Sequence, residues 1–139
     1  MAHTVRNRCL SCRELVANKY CNNKCKADHY YYNYIRRWLY GDEVGYRGKS
    51  QQVSNHVRRW MLETRNETCE RCGFNTPHPF DGKPILQCHH KDGKASNTTP
   101  DNLELLCPNC HALTDTFNAR NKTSTRRRHS NGNVYSTAP

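Results

Sequence analysis

Cys88-His89-His90-Lys91-Asp92-Gly93, followed by Asn102-Leu103-Glu104-Leu105-Leu106-Cys107-Pro108-Asn109-Cys110-His111, is the stretch that decides the fold. Two histidines close a short apolar run, Ile85-Leu86-Gln87-Cys88. A loop rich in Gly, Ser, Asn and Thr separates it from a second apolar run, which meets a Cys-Pro-Asn-Cys-His turn. Short apolar runs between turn residues read as strands, and a Cys-x-x-Cys pair at the foot of a helix reads as a metal knuckle. The pattern predicts a strand over 85–89, a loop over 91–101, a strand over 103–106, and a helix from near Asn109 through Phe117 or Asn118.

Upstream, Cys69-Glu70-Arg71-Cys72-Gly73 supplies a matching pair, so Cys69, Cys72, Cys107 and Cys110 form one candidate set. The 34 residues between its pairs carry the first strand and the loop, and a metal would tie the two ends together. Four thiolates close a tetrahedral shell, which makes such an ion structural. A second set, Cys9, Cys12, Cys21 and Cys25, has eight residues between its pairs, enough to fold back as a ribbon or knuckle. Structural zinc is the expectation for both sets, and unliganded or redox cysteines are the alternative. Cys88, the odd cysteine, is expected to be a small buried hydrophobe.

The chain has 139 residues, only 35% of them hydrophobic. With a mean hydropathy of −1.06, that is poor material for a large core, so staples are needed. Met1 to Arg8 is polar, so no signal peptide is expected, and no stretch reaches membrane-spanning length. A reducing cytoplasm is therefore expected, where paired cysteines favour zinc over disulfides. A net charge of +10 points to a nucleic-acid partner, with a merely soluble basic surface as the alternative and a monomer as the default state.

Four regions are expected: an N-terminal zinc unit with an aromatic helix (1–40), a linker (41–52), a core (53–118) and a basic, disordered tail (119–139). In the first helix, 26–40, Tyr30, Tyr31, Tyr34, Ile35, Trp38 and Leu39 recur at helical offsets, and Gly41 stops it. Arg36 and Arg37 fall off that stripe and are candidate DNA contacts; so are Arg47 and Lys49 in the glycine-rich linker. Ser54 reads as the N-cap of a second helix reaching about Thr64, with Val57, Trp60 and Met61 inward and Arg58 and Arg59 outward toward DNA. Lys91 and Lys94 in the loop complete the DNA-contact set, and His3, His56, His78 and His129 read as surface residues.

Taken together, His89, His90, Asn102 and His111 set between two Cys-x-x-Cys pairs resemble the HNH endonucleases, the ββα-metal nucleases. The likeness is strongest to their small, zinc-stapled phage members and covers about Val53 to Asn118. It implies a small α+β fold with a ββα core, and hydrolysis of DNA phosphodiester bonds. It also implies His90 as general base, Asn102 as the residue that holds the loop and orients His90, and His89 and His111 as ligands of a catalytic divalent ion. A histidine at position 89, where the family often has aspartate, turns the expected ion toward Zn²⁺, Ni²⁺, Co²⁺ or Mn²⁺, with Mg²⁺ still open. Adjacent strand residues point to opposite faces, which suits different tasks for His89 and His90. A homing or packaging role in a phage, acting in the host cytoplasm, fits the family. The bland alternative is a zinc-dependent DNA-binding protein without catalysis.

Overall fold

The computed structural model describes residues 7–126; the expectations for His3, His129 and the tail beyond Arg126 lie outside the described residues. The chain divides into two compact units, Met1–Glu43 and Val44–Pro139.

In the first unit, β1 (Asn7–Arg8) pairs antiparallel with β2 (Leu15–Val16). The turn between them is tight: the Cys9 N–H donates to the Glu14 carbonyl at 2.8 Å and the Arg13 N–H to the Cys9 carbonyl at 3.0 Å. Helix α1 (Asn23–Tyr40) starts three residues earlier than the sequence suggests, because the Asn22 side chain caps it by accepting the Cys25 N–H at 2.8 Å. That cap places Cys25 in the first helical turn. Gly41 ends the helix in the left-handed conformation, φ 88°. The buried stripe is narrower than expected. Tyr31, Ile35 and Trp38, at offsets of four and three, are buried, whereas Tyr30 and Leu39 are about half exposed at 54% and 51%.

The second unit opens within the segment expected to be a linker. There β3 (Tyr46–Arg47) and β4 (Gln52–Val53) form a hairpin, with Tyr46 opposite Val53. The turn uses positive φ at Gly48 (67°) and Gln51 (53°). Helix α2 (Asn55–Thr64) follows its cap, Ser54, whose hydroxyl accepts the Val57 N–H at 3.1 Å. Val57 and Met61, one turn apart, are fully buried, as are Leu103, Leu105 and Leu106 further along the chain, and Leu86 is buried beside them in the core.

Strand β5 (Gln87–His90) pairs antiparallel with β6 (Leu103–Leu106), with Gln87 opposite Leu106 and His89 opposite Glu104. Beta5 thus starts two residues later than predicted. The register explains this: Leu86 and Ile85 would face Cys107 and Pro108, which already belong to the knuckle, and proline has no N–H to offer. Helix α3 (Pro108–Ala112) is much shorter than predicted. Thr114 stops it, since both its N–H and its hydroxyl donate to the His111 carbonyl, at 3.2 and 2.8 Å. The chain then turns back through a 3-10 turn at Asn118–Arg120. Among the described residues, no helix is long and apolar enough to cross a membrane.

Candidate active site and metal centres

The sulfurs of Cys69, Cys72, Cys107 and Cys110 lie within 4.8 Å of one another, and those of Cys72 and Cys107 are 3.6 Å apart. Four sulfurs at about 2.3 Å from zinc stand roughly 3.8 Å from each other, so this set fits the ion. Burial raises the Cys69 thiol, but the N–H groups of Cys107, Cys72 and Arg71 outweigh it and bring the pKa down to about 6, toward the thiolate a metal needs. Glu70 ties the knuckle to β6: its N–H donates to the Leu105 carbonyl at 2.9 Å, and its carboxylate accepts the Leu105 N–H. Cys107 also caps α3, with its sulfur accepting the Cys110 N–H at 3.5 Å. The knuckle therefore fixes where His111, the next residue, emerges.

The first unit repeats this arrangement. Cys9, Cys12, Cys21 and Cys25 also bring their sulfurs within 4.8 Å of one another, with Cys12 and Cys21 at 3.3 Å. Cys9 is likewise lowered to about 6: burial opposes this, and N–H groups from Cys12, Ser11 and Cys21 overcome it. His29, which no sequence rule marks, couples α1 to this turn. Its Nδ1 meets the Leu10 carbonyl at 3.2 Å and its Nε2 meets the Asn33 amide at 2.9 Å.

His89 and His111 come together from β5 and α3, with ring centres 5.4 Å apart and planes inclined at 68°. Two imidazoles bound to one ion at about 2.1 Å put their ring centres roughly 5 Å apart, so the pair fits a shared divalent ion with the rest of its shell open. Burial lowers the pKa of both, helped at His89 by the neighbouring His111. Both are thus neutral near pH 7, the form that binds metal. The ring of Phe117 meets His111 edge-on at 5.2 Å and buttresses it. Opposite His89, Glu104 is held by Arg71 in a two-pronged pair at 2.9 and 3.0 Å, and its charge partly offsets the lowering of the His89 pKa.

His90 is buried, and its Nε2 lies 2.9 Å from the Thr98 hydroxyl. That hydroxyl donates its proton to the Ala95 carbonyl at 2.8 Å, so it can only accept from His90. The Nε2 nitrogen therefore carries the hydrogen, and Nδ1 keeps its lone pair. Burial, with the Arg126 charge second, pushes the His90 pKa down to about 4. Although His89 and His90 alternate across the strand, both border one cavity of about 270 Å³, together with His111, because β5 ends at His90 and the loop folds back beneath it.

Asn102 organises that loop. Its amide donates to the Asp92 carboxylate at 2.9 Å and the Asn97 carbonyl at 2.7 Å, and its oxygen accepts the Asp92 N–H at 3.2 Å. Asp92 also accepts the Lys94 N–H and the Asn97 amide, both at 2.8 Å. Asn102 thus shapes the loop that carries Thr98, and Thr98 is the side chain that holds the His90 ring.

The HNH endonuclease family matches residues 69–114, which include both cysteine pairs of the second unit and the three histidines. The chain carries an HNH endonuclease domain. It is 38% identical over 109 residues to the H-N-H endonuclease F-TflIV of Escherichia phage T5, an alignment covering 77% of this chain and 41% of that protein. It is 43% identical over 58 residues to the type IV methyl-directed restriction enzyme EcoKMcrA of Escherichia coli, covering 40% of this chain and 21% of that enzyme. The chain therefore spans about two fifths and one fifth of the lengths of these relatives.

Around the HNH domain, the expected DNA contacts divide. Lys91, Lys94, Arg47 and Lys49 are exposed, and so is Arg36 on α1. Arg37 pairs with Glu43 at 3.0 Å, and Arg59 with Glu63 at 2.7 Å, so each shares its charge with an acid. Arg58 does not face outward as predicted. It reaches across to the Leu86 carbonyl at 2.9 Å, taking up an acceptor that the shortened strand leaves over. Cys88 beside it is mostly buried, and burial raises its thiol to about 11. The segment from Thr116 to Arg126, expected to be the end of a helix and a loose tail, is instead built into the cavity wall. Its polar composition gave no sign of this.

Proposed function

We propose that the protein is a metal-dependent endonuclease that hydrolyses phosphodiester bonds in DNA. The observation that carries this reading is the convergence of His89, His90 and His111 on one cavity with no carboxylate in its lining, next to a four-cysteine knuckle. An acid-free pocket beside basic loops suits a phosphate.

His89 and His111 hold a divalent ion, which when bound supplies charge stabilisation to the phosphate and the departing oxygen. Neutral His90 presents Nδ1 to a water molecule and takes its proton as the water oxygen attacks phosphorus. The bond from phosphorus to the 3′-oxygen breaks, leaving a 5′-phosphate and a 3′-hydroxyl. Asn102 keeps the loop closed so that Thr98 stays under the imidazole. Cys69, Cys72, Cys107 and Cys110, and separately Cys9, Cys12, Cys21 and Cys25, hold structural zinc. Lys91 and Lys94 lie on neighbouring phosphates. The match to a phage H-N-H endonuclease supports a phage setting, and within it we propose a homing or packaging task in the host cytoplasm.

Plasmid nicking assayed with Mg²⁺, Mn²⁺, Ni²⁺ and EDTA tests the reading. Metal-dependent nicks that vanish in His90→Ala, with DNA binding and zinc content retained, support it. DNA binding without any nicking supports a non-catalytic zinc-dependent binder instead. Mapping the cut ends on a phage genome separates the roles, since one dominant site is expected of homing and scattered cuts are not.

A further inference from the structure

The polar segment after the HNH domain is clamped across the catalytic loop by three hydrogen bonds and tied to the β3–β4 turn by a fourth. The Asn121 amide donates to the Gly93 carbonyl at 2.8 Å, and the Thr123 hydroxyl to the Asp92 carbonyl at 2.8 Å. The Ser96 N–H donates to the Thr125 hydroxyl at 2.9 Å, which in turn donates to Gln51, on the β3–β4 turn, at 2.7 Å. The packing is close enough to require glycine at 93. A Cβ there would come within 2.7 to 2.9 Å of Asn121, Thr116 and Thr123, at a φ of 74°. The clamp delivers the next residue, Arg126, to the rim of the cavity that His89, His90 and His111 border.

Among the described residues, the Arg126 guanidinium has no ion pair and no hydrogen bond, and it is the one side chain lining that cavity that always carries a charge. Its neighbours there are imidazoles, amides and hydroxyls, with no carboxylate to neutralise it. Arg126 is exposed at the cavity rim, where a substrate phosphate can reach it, and a guanidinium fork matches two oxygens of a phosphate. We propose that Arg126 is a phosphate-binding residue of the active site, which grips the non-bridging oxygens of the phosphodiester under attack and is held in place by the Asn121–Thr125 clamp. This rests on the endonuclease reading for the identity of the reaction. The preference for a phosphate rests on the cavity alone.

The full chain is tested by two readouts. In the first, single-turnover nicking at saturating DNA and metal is compared among wild type, Arg126→Ala, Arg126→Lys and Arg120→Ala, the last an exposed arginine outside the cavity lining. Arg126→Ala is expected to be slower by roughly 10- to 100-fold, the scale of a lost hydrogen bond to a charged group. DNA affinity and zinc content should stay within about twofold of wild type. Free guanidinium should restore part of the rate, and Arg120→Ala should match wild type. In the second, inorganic phosphate is titrated against ¹⁵N-labelled protein, and the Arg126 Nε–H signal is expected to shift with the ring signals of His90. Wild-type speed in Arg126→Ala, or a loss equal to that of Arg120→Ala, overturns the proposal, as does an Arg126 signal that ignores phosphate. If the wild type never nicks but phosphate moves that signal, the endonuclease reading fails and the phosphate site stands.

Discussion

Thr98 sets the chemistry of His90 by deciding which of its nitrogens carries the proton. A neutral imidazole can place its hydrogen on either nitrogen, and only the other one can act as a base. Because the Thr98 hydroxyl is committed to the Ala95 carbonyl, it holds His90 in the Nε2–H form. Thr98→Val keeps the shape and removes the acceptor. Leaving a buried N–H unsatisfied costs about 1–3 kcal/mol, so kcat is expected to fall roughly 10- to 100-fold, with KM and zinc content unchanged. Thr98→Ser should recover most of the rate, and ¹⁵N shifts of the His90 ring should report a mixed tautomer in the valine variant. Nicking by the valine variant at the wild-type rate would remove Thr98 from the mechanism. A second expectation follows from the His90 pKa of about 4. The folded value lies below the unfolded value of about 6.5, so between these two pH values the unfolded chain binds more protons, and stability falls as pH falls through that window. The acid limb of kcat/KM should accordingly lie well below pH 6.5. A midpoint at 6.5 would mean that the base is a solvated histidine. The histidines themselves were legible in the sequence, because their spacing from the cysteines is a motif. Thr98 was not, since one threonine in a loop of Ser, Asn and Thr has no spacing that sets it apart.

At the level of elements, what could be read in advance was what local chemistry decides. The N-cap Ser54 and the buried face Val57–Met61 follow from a four-residue step and a capping hydroxyl, and α2 forms where the sequence puts it. Strand β6 follows in the same way from Leu103, Leu105 and Leu106 meeting Cys107. The misread elements are those whose boundaries depend on distant partners. Beta5 loses Ile85 and Leu86 because their opposite positions are taken by the knuckle, and Arg58 turns inward to satisfy the carbonyl this leaves behind. The β3–β4 hairpin and the Asn121–Thr125 clamp support one another through Gln51 and Thr125, which stand 74 residues apart, a distance that no window of sequence spans. The cap on α2 offers a direct check on the local part of the argument. Ser54→Ala removes the acceptor for the Val57 N–H at a buried position, and about 1 kcal/mol of stability should go with it. Ser54→Gly should cost only a few tenths. Urea midpoints measure both, and equal losses in the two variants would show that the hydroxyl contributes nothing as a cap.

Across the whole molecule, the same device appears twice, once in each compact unit. The first unit has Cys9, Tyr31, Ile35 and Trp38 as its buried apolar side chains among the described residues, too few to hold a segment of that size without a cross-link. The second has a fuller core, yet His89 and His111 come from different elements, and Cys110, in the knuckle, immediately precedes His111. Zinc should therefore support folding in one unit and positioning in the other. Elemental analysis is expected to find two zinc ions per chain. Cys12→Ser should bring this to one and collapse the amide signals of the first unit, leaving those of the HNH domain dispersed. Cys72→Ser should also leave one ion, but here nicking should disappear, while the signals of α1 persist. Nicking that survives in Cys72→Ser would break the link between the knuckle and His111. Loss of both ions in either variant would mean that the two clusters do not bind independently, and the division of the chain into two separately stapled units would fall with it.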